Sequence, residues 1–233
     1  MTPTVTFNGV VLNNSFIVSN VNRPLPEFRN SSTQIEGRDG EEFDSLTVGK
    51  REVTFTVYAK SKSQDQIAQA ARQLAKILFV RQPTALTFSD EKDGRTQLVR
   101  FAVPDGAFSA DEFIRAGKWD CRFLQHDPFL HGNTIKRQIS GTTTISVGGN
   151  VETYPVATAN ASGTYQISYK GQHVRFDGVG GRIIVDFRKQ KVSSGGATGD
   201  GLQVGSRFFA LQPGQAKISA THSTQLEYTE LWL

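Results

Sequence analysis

The residues of this 233-residue chain that could do chemistry are few: four histidines, one cysteine and 22 carboxylates. A zinc site needs three or four converging ligands, most recognisably two histidines one helical turn apart. His126 and His131 instead stand five apart across Pro128 and imply no third ligand, so both read as structural. The lone Cys121 excludes an intramolecular disulfide and any multi-cysteine zinc site. It alternates with Trp119 and Phe123 on an apolar strand face, and no electropositive helix terminus lies near it in sequence to stabilise a thiolate. The run Gly178-Val179-Gly180-Gly181 has the glycine density of a phosphate loop. Without a third spaced glycine and a following helix it reads as a tight hairpin. Asp90-Glu91-Lys92-Asp93-Gly94 lacks the alternating oxygen ligands and distal glutamate of a calcium loop and reads as a turn. No nucleophile elbow or zinc signature appears, so no metal, cofactor or catalytic residue is expected. Two carboxylates brought together only in space could still hydrolyse a glycoside, which spacing along the chain leaves open.

Composition points the same way. The net charge is +4, with 18 basic and 16 acidic residues up to residue 139 and 8 and 6 after it. A nucleic-acid binder concentrates its lysines and arginines on one arm or face. Here they are spread, apart from Arg188, Lys189 and Lys191, so sequence-specific nucleic-acid binding is not expected. No stretch approaches the roughly 18 apolar residues of a membrane-spanning helix, and Met1-Thr2-Pro3-Thr4 opens no signal peptide. The expectation is a chain made in a bacterial cytoplasm and staying in solution. With 22 glycines, 16 phenylalanines and one methionine, the composition favours short strands and turns over helical bundles.

The elements follow from periodicity. Ile67, Ala70, Ala71, Leu74, Ile77 and Leu78 recur at spacings of three and four, predicting one amphipathic helix over residues 63–79, with Ser63 and Gln66 as a capping box and Pro83 beyond its end. Val53, Phe55 and Val57 alternate with polar residues, as do residues 98–103 and Trp119, Cys121 and Phe123, predicting strands. Residues 23–49 break this pattern: a long polar connection whose apolar residues between Phe28 and Leu46 are Ile35 and Phe43. Such a stretch inside a compact domain is either functional or an edge hairpin, and it is the first candidate for a contact surface. The strand pattern stops near residue 130 and a Gly/Thr/Ser-rich segment follows, predicting a boundary between domains 1–135 and 136–233. Beyond it, Tyr165-Gln166-Ile167-Ser168-Tyr169, residues 183–187, Phe208-Phe209-Ala210-Leu211, residues 217–219 and residues 228–232 read as short sandwich strands, and residues 192–201, with Gly195-Gly196 and Gly199, as a flexible loop.

Short landmarks follow one another in order along the chain. In the first half they are Phe7-Asn8-Gly9, Arg23-Pro24-Leu25-Pro26, Gly37-Arg38-Asp39-Gly40, the strand after Gly49-Lys50-Arg51, the single helix and Asp127-Pro128-Phe129. In the second half they are Tyr154-Pro155, Ile184-Val185-Asp186-Phe187, Phe208-Phe209-Ala210-Leu211-Gln212-Pro213-Gly214 and Trp232. Their order resembles the distal tail protein family of siphophages. The resemblance implies a mostly β, two-domain fold: an N-terminal β-sandwich with one packed helix, related to tail-tube proteins, and a C-terminal galectin-like β-sandwich. It implies a homo-hexameric ring at the distal end of the virion tail, joining the tail tube to the tail-associated hub protein and host-adhesion apparatus, with outward C-terminal domains that can anchor a receptor-binding protein. The chain has no room for an inserted carbohydrate-binding module, and Pro213-Gly214-Gln215 stands where the family has a Pro-Gly-Asn-like turn.

The reading is therefore a non-enzymatic ring and adaptor. The alternative is a carbohydrate-binding adsorption module, which the galectin-like fold invites and which only His173-Val174-Arg175 supports in sequence. In the ring reading, Arg38, Asp39 and Phe43 are expected at the contact between subunits, with Phe43 as apolar anchor and the charged pair setting register.

Overall fold

A computed structural model describes residues 2–91, 98–195, 197–198 and 201–233. It falls into two compact units, Met1–Leu130 with Leu233, and His131–Trp232. Both are built mostly of strands.

In the first unit β1 (Val5–Phe7), β2 (Val10–Val11), a one-turn α1 (Leu12–Ser15) and β3 (Phe16–Asn22) precede a hairpin of β4 (Phe28–Gln34) and β5 (Glu41–Val48). Then come β6 (Arg51–Ala59), α2 (Gln64–Leu78), β7 (Thr84–Phe88), β8 (Arg100–Pro104), α3 (Ala110–Ala116) and β9 (Lys118–Gln125). The antiparallel sheet runs β2-β1-β7-β8-β9-β6-β3, and the hairpin forms a separate two-stranded sheet. The period of two in β6 sends Val53, Phe55 and Val57 into the core, where the β9 register sets Phe55 across from Cys121 and Val53 across from Phe123. The Phe123 ring stacks 5.2 Å from Phe55 and lies 4.8 Å from Phe7, so these strands share one aromatic layer.

Helix α2 closes that core with Ala71, Leu74 and Ile77, as its stripe predicts. The expected capping box does not form. The Ser63 side chain makes no cap bond. The Ser61 hydroxyl instead bonds the Gln66 side chain and accepts the N–H of Ser63 itself at 3.1 Å, tying the preceding turn to the helix. The expectation of a single helix is also corrected, because α3 packs beside α2 with Phe113 fully buried. Seven residues are too few for a stripe to show, yet its ends are marked. Ser109 Oγ accepts the Glu112 N–H at 3.2 Å, and Gly117 takes the left-handed conformation (φ 67°) with its N–H on the Phe113 carbonyl at 2.7 Å. Of the turn expected at Asp90-Glu91-Lys92-Asp93-Gly94, the last three residues lie outside the described residues.

In the second unit β10 (Leu130–Val147), β11 (Val156–Tyr169), β12 (Gln172–Asp186), β13 (Lys191–Ser194), β14 (Ala197–Thr198) and β15 (Gly214–Trp232) form one sheet in the order β10-β15-β11-β12-β13-β14. Its main strands are longer than their alternation suggests, because glycines bend them without ending them. The Gly178 to Gly181 run is not a hairpin but the middle of β12, facing Ala161, Ser162 and Gly163 of β11, with Gly178, Gly181 and Gly163 at positive φ and a bulge after Gly163. The turn of that ribbon is Lys170-Gly171, both at positive φ. Similarly, the Gly/Thr-rich residues beyond 135 continue β10, because Ile139, Ile145 and Val147 keep one side of the strand buried. Phe208-Phe209-Ala210-Leu211 is not a strand: only Leu211 bridges, to Thr153, while Phe209 packs 4.3 Å from Phe187 in the core. Residues 192–194 of the expected loop pair with β12 instead; Gly196 and Gly199 lie outside the described residues.

Candidate functional site

The polar stretch of residues 23–49 supplies the candidate surface, and its geometry follows from its sequence. Gly37 and Gly40, at φ 81° and 88°, permit the reversal between β4 and β5, and the Arg38 N–H bonds the Ile35 carbonyl at 3.1 Å. At the base, Gly49 donates to the Glu27 carbonyl at 2.7 Å and Glu27 donates to the Lys50 carbonyl at 3.2 Å. A Cβ on Gly49 would meet the Glu27 carbonyl oxygen at 3.2 Å, so a small residue suits this closure.

The register decides which side chains share a face. Phe28 pairs with Val48, Asn30 with Leu46 and Ser31 with Ser45, but Ser32 pairs with Phe43, so Asp44 is bulged out of the ladder. The extra residue restores Phe43 to the face that carries Leu46, Val48 and Phe28. On the other face the Asp44 carboxylate accepts from the Thr33 hydroxyl at 2.7 Å and the Ser31 hydroxyl at 3.4 Å. The hairpin thus has an apolar side and a hydroxyl-rich side, and neither is buried: Phe43 is 65% exposed, Leu46 52% and Phe28 46%. An isolated two-stranded hairpin is marginally stable in water, and this one leaves its apolar face in solvent.

Charge also sets the hairpin apart. Residues 27–48 hold six carboxylates and two arginines, whereas the rest of the chain holds 24 basic and 16 acidic residues. An acidic arm therefore extends from a basic chain. Of the residues expected at a contact, Arg38 and Asp39 sit together in the turn and Phe43 lies on the apolar face. Phe28, Leu46 and Val48 were not anticipated. Their signal was present in the spacing of Leu46 and Val48, but Phe43, three residues before Leu46, falls out of step until the bulge is known.

The residues that could have done chemistry are placed otherwise. Cys121 is 2% exposed, and burial, with the nearby Asp120 charge, pushes its thiol up to about 12. Glu91 is held above the usual carboxyl range by burial, against the opposing charges of Arg100 and Arg23. Its Oε1 already accepts from Arg100 at 2.5 Å and Arg23 at 3.3 Å, which leaves it poorly placed as a general acid. Among the described residues no group of three or more His, Cys, Asp or Glu is placed to hold a metal ion. No described helix is long and apolar enough to cross a membrane.

Comparison with known proteins places the two halves in related models. Residues 10–124 match the phage tail protein RIFT-related domain, and residues 148–232 match the siphovirus-type tail component, C-terminal domain. No curated protein sequence matches the chain. Among solved structures, the crystal structure of SPP1 Dit (gp 19.1), described as a paradigm of the hub adsorption apparatus in phages infecting Gram-positive hosts, is similar over 100% of both chains, with a TM-score of 0.76 and 17% identity. That likeness establishes the fold. A chain of the phage P2 baseplate in its activated, calcium-bound conformation aligns over 99% of this chain and 98% of its own, at 7% identity and a TM-score of 0.49.

Proposed function

Because the chain belongs to the siphophage distal tail protein family, structural components of the virion at the distal end of the tail, we propose that copies of it close into a homo-hexameric ring through the β4–β5 arm. Each arm lays the face of Phe43, Leu46, Val48 and Phe28 on the next subunit, while Arg38 and Asp39 at the tip set its register. A head-to-tail contact of this kind gives every subunit one donating and one receiving surface and closes without a free edge. The first unit, with its ring, joins the tail tube to the tail-associated hub protein. The second unit, read as galectin-like, anchors a receptor-binding protein. The role is assembly without catalysis.

The observation that carries this reading is the one-sided hairpin, with Phe43 65% exposed on a face shared with Leu46 at 52%. Burial of such a face is worth about 25 cal/mol per Å² of apolar surface removed from water, and in a closed ring every copy gains it. The test replaces residues 30–46 by an Asn-Gly turn, which Arg29 and Thr47, already paired across the ladder, can close. Light scattering should then show hexamers become monomers with an unchanged circular dichroism spectrum for the rest of the fold. A ring that persists by electron microscopy after the replacement rules the arm out as the assembly element.

A further inference from the structure

A groove opens in the first unit where β8 leaves β9. Their last registered pair is Pro104–Phe123, and the Asp105 N–H still reaches the Arg122 carbonyl at 2.8 Å. From there Gly106-Ala107-Phe108 lead away to α3, so among the described residues β9 from Trp119 to Cys121 keeps a ladder partner only in β6. The gap left is a cavity of about 660 Å³, walled by Ala75, Leu78 and Phe79 at the end of α2 and by Phe108 and Trp119. The Phe108 and Trp119 rings meet edge to face at 5.2 Å, which fixes that wall. Phe79 closes the helix at its C-cap and stands 74% exposed at the lip.

Two features say what fits there. Among the described residues the two most exposed aromatic side chains are Phe79 and, on the arm, Phe43 at 65%. They are framed by opposite charges. Arg72, Lys76 and Phe79 follow at spacings of four and three, and so share one stripe of α2. Arg81 lies over the Phe79 ring at 5.9 Å, and the chain carries no carboxylate between Asp65 and Asp90. Phe43, by contrast, stands in the run Glu41-Glu42-Phe43-Asp44. The carboxylates on the floor of the groove are engaged already: Asp120 accepts from the Thr56 hydroxyl at 2.6 Å, and Asp105 faces Arg122 at 3.9 Å. The chain's own arm leaves the groove open, since no arm residue lines it and Phe43 stands in solvent.

We propose that this groove is the surface that receives the arm of a second copy of the chain. The Phe43 ring enters between Phe79 and the Phe108–Trp119 pair, and Glu42 and Asp44 come to rest beside Arg72, Lys76 and Arg81. The cavity is of the size that encloses a small ligand, which gives room for an aromatic ring with an aliphatic neighbour such as Leu46. Apolar burial at the centre supplies the affinity, and the charged rim orients the approach and rejects a basic segment. The proposal rests on the reading that the arm joins subunits, and adds to it the place where the arm lands.

The experiment uses the full chain carrying the photoreactive Phe43→p-benzoylphenylalanine, mixed from isotope-labelled and unlabelled copies. Irradiation should link position 43 of one copy to residues 75–79 or 105–108 of another, read by mass spectrometry. Phe79→Asp removes the aromatic lip and sets a carboxylate against the acidic run. It should raise the concentration needed for assembly at least about thirtyfold, as for loss of a central aromatic anchor, while Phe79→Trp assembles like the wild type. If Phe79→Asp does not fold, the map of cross-links still decides. The proposal is overturned if no link forms between copies, if the links fall on another surface, or if Phe79→Asp assembles as tightly as the wild type. Links on another surface, together with loss of the ring when residues 30–46 are replaced, would overturn the groove and leave the arm as the joint. A ring that survives that replacement would overturn both.

Discussion

Phe43 stands across the hairpin from Ser32, one place out of step with the neighbouring Ser31–Ser45 pair, and Asp44 is the residue left over. That single inserted residue gathers Phe43 with Leu46 and Val48 on one side of a strand in which regular alternation would have separated them. Its carboxylate is held on the opposite side by Ser31 and Thr33. Deleting Asp44 should therefore leave Phe43 on the face of Leu46, since the two then stand two residues apart in a regular ladder, and spare ring assembly, whereas Phe43→Ser should weaken it. Neither change should move monomer stability beyond about 0.5 kcal/mol, since the site is exposed. Sedimentation read beside thermal unfolding separates assembly from stability, and an intact ring in Phe43→Ser would show that the shared face is not the joint.

Leu74 is the fully buried centre of the α2 stripe. Leu74→Ala should cost about 2 to 5 kcal/mol, the transfer term plus the cavity left between helix and sheet. Urea unfolding measures it, and an unchanged midpoint would mean that α2 does not close this core.

Ser109 and Gly117 bracket α3, and each satisfies a backbone group that the short helix cannot. Ser109→Ala should cost about 1 kcal/mol through the lost cap. Gly117→Ala should cost a similar amount, about 1 kcal/mol, by forcing a Cβ into the left-handed region. Both are read from urea midpoints. If both leave the midpoint unchanged, α3 is not a stable part of the native unit.

Cys121 gives an alkaline signature. Its thiol ionises near 9.0 when exposed and at about 12 in the fold, where burial comes first and the Asp120 charge second. Above the lower value the unfolded chain sheds a proton that the native chain keeps, so stability is full below it and falls as pH rises toward the upper value. Cys121→Ala should flatten that fall, though Tyr165, also pushed to about 12 by burial, retains part of it. In the wild type a thiol-directed disulfide reagent should react at neutral pH only on unfolding. Immediate labelling of the native protein would contradict the burial.

The second unit should fold alone if cut at the start of β10. A fragment of residues 131–233 keeps Ile139 in its core and β10 beside β15, whereas one of residues 140–233 loses Ile139 and half of that edge strand. The longer fragment should give dispersed amide resonances and a cooperative melt, and the shorter a weaker melt or none. Equal stability of the two would show that the first half of β10 contributes nothing.

What the sequence determined by itself was whatever repeats locally. The period of two in β6 and β9 and the three-four spacing of α2 were legible because each exposes one face to a core, and burial of that face fixes the element. The order of short landmarks along the chain was legible too, and with it the family. Tertiary structure decided the rest. Gln66 bonds Ser61 and not the backbone of Ser63, because a hydroxyl is used according to where the preceding turn carries it. The run from Gly178 to Gly181 became the interior of a long strand, because glycine marks a positive φ without saying whether the chain turns back or only bends. The pairing of β4 with β5 required a register, and the register required a bulge at Asp44 that no periodicity reveals. Arg51 and Arg100, from strands far apart in the chain, came to share Glu91 as their counter-charge. Long-range juxtaposition of this kind depends on how the whole sheet closes, and so the arm's apolar face and the buried guanidinium pair became visible only in three dimensions.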